Sequence, residues 1–458
     1  MDLDASDEQL DSPVLFCSGR DGTASLSPYE RNDNLMPLFD TILEHIPAPE
    51  GEPDEDLQLL VSSIDYNDFV GRIGIGRIER GTIRKGMEAM VSNYHSGEAP
   101  KKTKIVSIEQ FSGLGRVPVE SATVGDIVCF SGAGDITIGD TLTNVANPEP
   151  LPFVKISEPT LEMVFSVNDS PFAGREGKFV TSRQLRDRLY KELQKDVSLR
   201  VTDGDTMDSF KVAGRGEMHL TILIETMRRE GYELSVSTPH VLNREIDGVM
   251  HEPTERVVID VPEESMGSVM EKLGARKGEL IEMKPQGSRM RLEYIIPSRC
   301  LFGYRSEFLT DTRGEGILNS IFEGYTPLKG EIVRRYTGSL VASEDGESTS
   351  YGLYNAQDRG QMFIGVQTKV YEGMLVGENP KQGDIAVNVC KKKHLTAIRS
   401  SGADEALRLV PPKIMSLEQA IEFIGDDELM EVTPKSLRLR KKILNTDLRL
   451  KAEAKKKQ

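Results

Sequence analysis

Between residues 158 and 335 one order of patterned segments occurs twice, and this doubling constrains the fold more than any other feature of the chain. In the first copy, LEMVFSV reads as a strand and SRQLRDRLYKELQKD as a helix with Leu185, Leu189 and Leu193 on one face. VSLRVT and MDSFKVAG follow as strands, EMHLTILIETMRRE as a helix ended by Gly231, and YELSVS as the closing strand. In the second copy ERVVIDV is a strand, ESMGSVMEKLG a helix, and GELIEMKP and SRMRLEYIIP are strands. TRGEGILNSIFEGY then reads as a helix and KGEIVRR as the last strand. Each copy is β-α-β-β-α-β, the order of a ferredoxin-like sandwich.

The flanks speak a different grammar. Residues 57–150 are short strand-patterned runs with glycine turns (LQLLVSSIDY, GRIGIGRIERG, GMEAMVSN, KIVSIEQF, DIVCFSG), which predicts a closed β-barrel. The proline- and acid-rich PAPEGEPDED marks a boundary before it. Upstream, Leu35, Leu38, Phe39, Ile42, Leu43 and Ile46 form one apolar stripe, predicting a helix over 33–46 with Asp33 as N-cap and Pro47 as its stop. Val14–Cys17 reads as a buried strand running into a glycine loop. One strand and one helix make no core, so this piece is expected to be the last unit of an α/β domain whose remainder is absent. Beyond residue 336 a further domain opens with the glycine-rich, strand-like GLYNAQDRGQMFIGVQTKVYEGMLVG. Ser416 and Gln419 form a capping box ahead of AIEFI. The segment 435–458 reads as partly helical, fraying at its end.

The net charge of −16 argues against general nucleic-acid binding, which relies on cations replacing phosphate counterions. The charge is uneven, however. Residues 435–458 carry ten basic residues against Asp447 and Glu453, which points to a directed electrostatic contact and makes Arg438, Arg440, Lys441 and Lys442 candidates for RNA. A second cluster, Lys391-Lys392-Lys393-His394 followed by Arg399-Ser400-Ser401-Gly402, can follow a phosphate backbone or be a solvated lysine loop. A third, Lys178, Arg183, Arg186 and Arg188, reads as a solvated helix face.

Other chemistries are not supported. The four cysteines (Cys17, Cys129, Cys300, Cys390) form no CxxC pair and read as reduced thiols. GRIGIGRIERG lacks the G-K-[ST] ending of a phosphate loop, so its glycines are expected in barrel turns. His251-Glu252 with Glu255 resembles a zinc-protease motif, but Pro253 would break the helix that motif needs, and a linker is expected instead. No run approaches the ~18 apolar residues of a membrane span, and the acidic MDLDASDEQLD is neither a secretory nor a transit signal. A cytoplasmic protein without membrane contact is expected.

SPFAGREGKFVTSRQLRDRL (170–189), GRGEMHLTILIETMRREG (214–231) and IPSRCLFGYRSEFLTDTRGEGILNSIFEGY (296–325) are similar to the BipA/TypA family of translational GTPases. So are QDRGQMFIGVQTKVYEGMLVGE (357–378), KHLTAIRSSGADEALRL (393–409) and LEQAIEFIGDDELMEVTPKSLRLRK (417–441). The resemblance spans nearly the whole chain and implies a multidomain α+β protein. Residues 1–48 would be a remnant of an α/β G domain, 49–152 the β-barrel, and 153–248 and 249–335 ferredoxin-like α/β sandwiches similar to domains III and V of elongation factor G. Residues 336–458 would be a mixed C-terminal domain with a basic tail. The resemblance further implies binding to the ribosome near its factor-binding region, contact with large-subunit rRNA and A-site tRNA, and a part in large-subunit assembly and in growth under cold or other stress. In that family the loop matching Lys391, Lys392, Lys393, His394 and Arg399 contacts RNA.

Hydrolysis of GTP in this family requires a G-x-x-x-x-G-K-[ST] loop, magnesium-binding switch residues and an N-K-x-D loop. That set is absent from this sequence. Cys17-Ser18-Gly19 is similar to the last guanine-contacting loop, which usually reads Ser-Ala, so Ser18 and Gly19 are expected to be a remnant without function. No cofactor is expected for this chain, whereas the full-length family uses GTP and magnesium. The reading is a monomeric ribosome- and RNA-binding part of such a factor. Two alternatives stay open: an intact GTP-hydrolysing factor with a mis-assigned start, and a nucleotide-independent interaction module.

Overall fold

The structure, a computed structural model, describes residues 6–30, 32–154, 156, 158–332, 335–392 and 407–456. The chain divides into two compact units, Met1–Lys155 and Ile156–Gln458. It is a multidomain α+β protein of mostly antiparallel sheets.

The first unit opens with α1 (Asp7–Leu10) and a hairpin of β1 (Phe16–Ser18) and β2 (Thr23–Ser25), followed by α2 (Met36–His45). The strand expected to be buried is not. Val14 is 67% exposed and Phe16 43%, because among the described residues β1 pairs only with the three residues of β2. The helix begins later than its stripe suggests. Pro37 has no N–H to give to a helix interior and is tolerated only in the first turn, so Leu35 takes the N-cap position and Asp33 does not. Asn34 Oδ1 accepts the Met36 N–H instead, at 2.9 Å. The apolar stripe faces outward: Phe39, Ile42, Leu43 and Ile46 are all exposed, and α2 buries no residue.

The rest of the unit is built of β3 (Gln58–Asn67), β4 (Gly71–Arg80), β5 (Thr82–Arg84), β6 (Glu88–Asn93), β7 (Lys101–Lys104), β8 (Ser107–Ser112), β9 (Gly115–Pro118), β10 (Ser121–Thr123), β11 (Ile127–Ser131) and β12 (Asp140–Thr143). The main sheet runs β7-β6-β12-β3-β4-β11-β8-β9. It closes on itself where β7 passes into β8: the Ile105 N–H donates to Met87 O, and the next, Val106 N–H, to Ser131 O. Closure removes free sheet edges. Gly74 and Gly76 lie inside β4, not in the turns expected for them. A Cβ on Gly74 would fall 2.7 Å from the Phe130 ring, and one on Gly76 2.1 Å from Leu60 O. Close packing across the barrel, not phosphate, requires these glycines.

In the second unit, β13 (Leu161–Val167), α3 (Ser182–Glu192), β14 (Arg200–Asp203), β15 (Ser209–Gly214), α4 (Glu217–Glu230) and β16 (Leu234–Val236) form a sheet in the order β14-β15-β13-β16. Thr181 and Gln184 cap α3 reciprocally, and Gly231 at φ +98° ends α4 in the left-handed region that glycine favours. After β17 (His240–Val241) and β18 (Arg244–Ile246) come β19 (Val249–Pro262), α5 (Met266–Ala275), β20 (Glu279–Gln286), β21 (Arg289–Pro297), α6 (Tyr304–Asp311) and β22 (Ile317–Pro327). Pairing of β22 with β19, β19 with β21 and β21 with β20 gives the same ferredoxin-like order.

Two elements of this second sandwich differ from expectation. Its second helix is Tyr304–Asp311, which buries Tyr304 and Phe308 one turn apart. The segment read as that helix, 312–325, holds instead most of the fourth strand, β22. His251 and Glu252 also lie in strand β19 and not in a linker, and Glu252 is a fully buried partner of Arg299.

The remaining elements are β23 (Gly338–Ala342), β24 (Gly346–Glu347), α7 (Ser350–Gln357), β25 (Gln361–Met362), β26 (Lys369–Val370), β27 (Leu375–Asn379), β28 (Ile385–Val387), α8 (Leu417–Phe423), β29 (Glu428–Val432), β30 (Leu437–Lys441) and α9 (Thr446–Lys456). The opening of this region, read as strand-like, thus contains the helix α7. The Ser416–Gln419 capping box of α8 forms as expected. β29 pairs with β16, so a hairpin from the end of the chain extends the sheet of the first sandwich. One core joins them: Phe165, Leu189, Phe210 and Ile224 pack in the same cluster as Ile421, Met430, Val432 and Leu439. The second sandwich keeps a separate core around Ile259, Leu292 and Phe308.

Candidate nucleic-acid interface

Lys391 and Lys392 stand at the end of a short run that leaves β28 and crosses the start of α7. The Thr349 N–H donates to Val389 O at 2.9 Å and the Thr349 hydroxyl to Lys391 O at 2.5 Å. Gly352 permits this contact, since a Cβ there would fall 2.1 Å from Val389 O. The chain returns to the other end of the same helix. Gln357 donates through Nε2 to Arg408 O and accepts the Val410 N–H through Oε1, each at 3.0 Å. Both ends of the intervening segment are therefore fastened to one eight-residue helix, roughly 12 Å long at 1.5 Å per residue. Lys391 and Lys392 are exposed and have no ion-pair partner among the described residues. Lys393, His394 and Arg399, with Ser400, Ser401 and Gly402, lie outside the described residues. Arg359 and Arg408, both exposed at the same anchor, were not singled out by the sequence, because each is an isolated arginine with no basic neighbour.

The other basic candidates have a different setting. Register in the β29–β30 hairpin places Glu431 opposite Arg438 and Glu428 opposite Lys441. Arg438 pairs with Glu176 and, at 3.4 Å, with Glu431, while Arg440 pairs with Asp169. Lys441 Nζ lies 2.5 Å from Asp384 and 2.8 Å from both Asp427 and Glu428. Arg440 and Lys441 are 1% and 2% exposed. RNA contact is expected of Arg438, Arg440 and Lys441 from the sequence, and in the fold their charges meet carboxylates inside the protein. An unpaired charge at such depth costs several kcal/mol, and each of these is matched by carboxylates. Burial alone would raise the Glu428 carboxyl, but Lys441 and Arg335 outweigh it and hold it below the usual carboxylate range. Burial opposes the Lys441 ammonium, yet Glu428, Asp384 and Asp427 raise its pKa. Burial and the adjacent Glu431, which accepts the Tyr371 hydroxyl, push the Tyr371 phenol up. Only Lys442 stays exposed, its ammonium on Asp426 O at 2.5 Å. A sequence signal for the hairpin existed: LRLR alternates hydrophobe and charge, and ELMEV precedes it across the turn residues TPKS.

The third basic cluster is a paired helix face, with Arg186 at 2.8 Å from Asp203 and Arg188 at 2.6 Å from Glu230. Ser18 ends β1 and Gly19 opens the turn of the β1–β2 hairpin. The Ser18 hydroxyl donates to Asp21 Oδ2 at 2.8 Å, and the Gly22 N–H donates to Ser18 O. Among the described residues no group of three or more metal-ligating side chains is assembled.

Comparison with known proteins completes this picture. The family described as TypA/BipA C-terminal domain matches residues 337–446. Elongation factor G C-terminus matches 249–336, and elongation factor Tu domain 2 matches 71–143. Its relatives include proteins named large ribosomal subunit assembly factor BipA. The protein of Bacillus subtilis is 51% identical over all of this chain and 75% of its own length. That of Synechocystis is 49% identical over 96% of this chain and 74% of its own. That of Escherichia coli is 47% identical over 99% of this chain and 74% of its own.

Proposed function

Because the chain belongs to the BipA family, we propose that it binds the ribosome in the course of large-subunit assembly and contacts RNA through the segment anchored on α7. Lys391 and Lys392, with Lys393, His394 and Arg399 beyond them, supply the cations, and Arg359 and Arg408 extend the row. The observation that carries this reading is the double fastening of the segment to α7 by Thr349 and Gln357. It brings the two ends of a basic segment to one helix, in a chain whose net charge is −16. Contacts of this kind release phosphate counterions and follow backbone more than base identity. The contact reaches large-subunit rRNA and A-site tRNA near the factor-binding region, and its use is in ribosome assembly under cold or other stress. The residues present hold no phosphate loop, so binding is indifferent to GTP and GDP.

Co-sedimentation of the purified chain with 70S ribosomes and free large subunits, with and without a non-hydrolysable GTP analogue, tests this. Binding that the analogue leaves unchanged is expected. Lys391→Ala, Lys392→Ala, Lys393→Ala and Arg399→Ala together should weaken it at least tenfold and flatten its dependence on salt. Unchanged binding by that variant would remove the RNA role from the segment, and strong stimulation by the analogue would overturn the nucleotide-independent reading.

A further inference from the structure

Where α4, α6 and α8 converge, a cleft of about 870 Å³ lies between the separately cored second sandwich and the joined core of the first sandwich and C-terminal hairpin. Its charge is unbalanced, with five glutamates against three arginines in the lining. Glu255, Glu418 and Glu422 have no ion-pair partner among the described residues. Glu422 reaches from α8 to the start of α6, and its nearest polar partner there is the Ser306 hydroxyl, at 3.4 Å. Burial, reinforced by Glu418 and Glu307 and opposed by that hydroxyl, pushes the Glu422 carboxyl above its usual range. The lining also contains Ser298, 2% exposed, whose hydroxyl has no hydrogen-bond partner among the described residues. Buried hydroxyls are ordinarily paired. The apolar part of the wall is open, for Met218, Ile222 and Leu309 are about half exposed or more.

Carboxylates without an ion pair, a buried hydroxyl in want of a partner and an accessible apolar wall together suit a cation carried on an aliphatic stem. We propose that this cleft seats a lysine or arginine side chain of a basic protein segment, the cation among Glu255, Glu418 and Glu422 and the stem against Met218, Ile222 and Leu309. A free polyamine shares the cation but leaves most of that apolar wall uncovered, which favours a polypeptide. The site is independent of Lys391 and Lys392, which stand beside the start of α7.

The test uses the full chain and a fluorescent peptide of alternating lysine and leucine, with binding followed by anisotropy. Joint substitution Glu255→Gln, Glu418→Gln and Glu422→Gln should weaken binding at least tenfold while leaving the thermal midpoint within a few degrees. Because any cationic peptide is drawn to an acidic protein, a matched variant removes the same charge elsewhere (Glu263→Gln, Glu271→Gln and Glu347→Gln) and should bind as the parent does. Ile222→Asp, which leaves all three carboxylates in place, should also weaken the peptide. Equal loss in the cleft and matched variants, or no loss in the cleft variant, would overturn the site. Displacement of the peptide by spermidine at comparable concentration, with unchanged affinity in Ile222→Asp, would overturn the polypeptide occupant in favour of the amine.

Discussion

Lys391-Lys392 and Arg440-Lys441 are both adjacent cationic pairs in a chain of strong negative charge, yet the protein uses them in opposite ways. The first pair is exposed on a run fastened to α7, with its ammonium groups free of carboxylates among the described residues. The second is buried, and every charge in it meets an acid supplied by another strand or loop. Charge density along a sequence therefore does not say whether a cation is available to a partner. What decides is whether the fold brings carboxylates to it: here hairpin register brings Glu428 to Lys441 and Asp169 meets Arg440, whereas no carboxylate among the described residues pairs with Lys391 or Lys392.

That contrast can be broken most directly at Lys441. Removing one member of a buried ion cluster leaves uncompensated charge and typically costs about 3–5 kcal/mol, so Lys441→Ala should lower stability by that order in urea unfolding. A loss under about 1 kcal/mol would mean the cluster is more hydrated than its burial implies. Acid sharpens the comparison further. The Glu428 carboxyl is held below its usual range, so its stabilising contribution is present above that range and disappears as the pH falls through the depressed value. Acid unfolding of Glu428→Gln should consequently show a shallower dependence on pH than that of the parent, and equal slopes would remove Glu428 from the linkage. The smallest effects belong to the surface. Arg186→Ala breaks an exposed pair and should cost at most about 1 kcal/mol, while Lys391→Ala with Lys392→Ala should change stability by no more than about 0.5 kcal/mol. If the lysine pair proved as costly to remove as Lys441, the division between binding and structural cations would fail.

Much of the architecture was legible because periodicity reports burial. The stripe of Leu185 and Leu189, the Gly231 stop and the Ser416 capping box all became what their patterns implied. The family resemblance written in the blocks across the chain also stands. Misreadings arose where local pattern and tertiary pairing disagree. Ile317, Leu318, Ile321 and Phe322 have helical spacing, yet pairing with β19 draws them into a strand and leaves Ile317 and Ile321 exposed. The helix actually present, Tyr304–Asp311, buries only Tyr304 and Phe308 and offers little periodic signal. The pairing of Arg438 and Arg440 was hidden for a related reason: their partners Glu176 and Asp169 lie more than 250 residues away in sequence, where no local window finds them.

The pairing of β16 with β29 has a temporal consequence. On the ribosome Leu234–Val236 emerges long before Met430 exists, so the first sandwich must wait with an open sheet edge while the second sandwich and most of the C-terminal region are translated. At about 5–20 residues per second that interval is roughly ten to forty seconds. Throughout it the nascent chain exposes backbone donors and acceptors that a neighbouring polypeptide can capture. A segment made late is therefore the one that seals the first sandwich, and a polypeptide released before Lys441 would leave that edge unsealed.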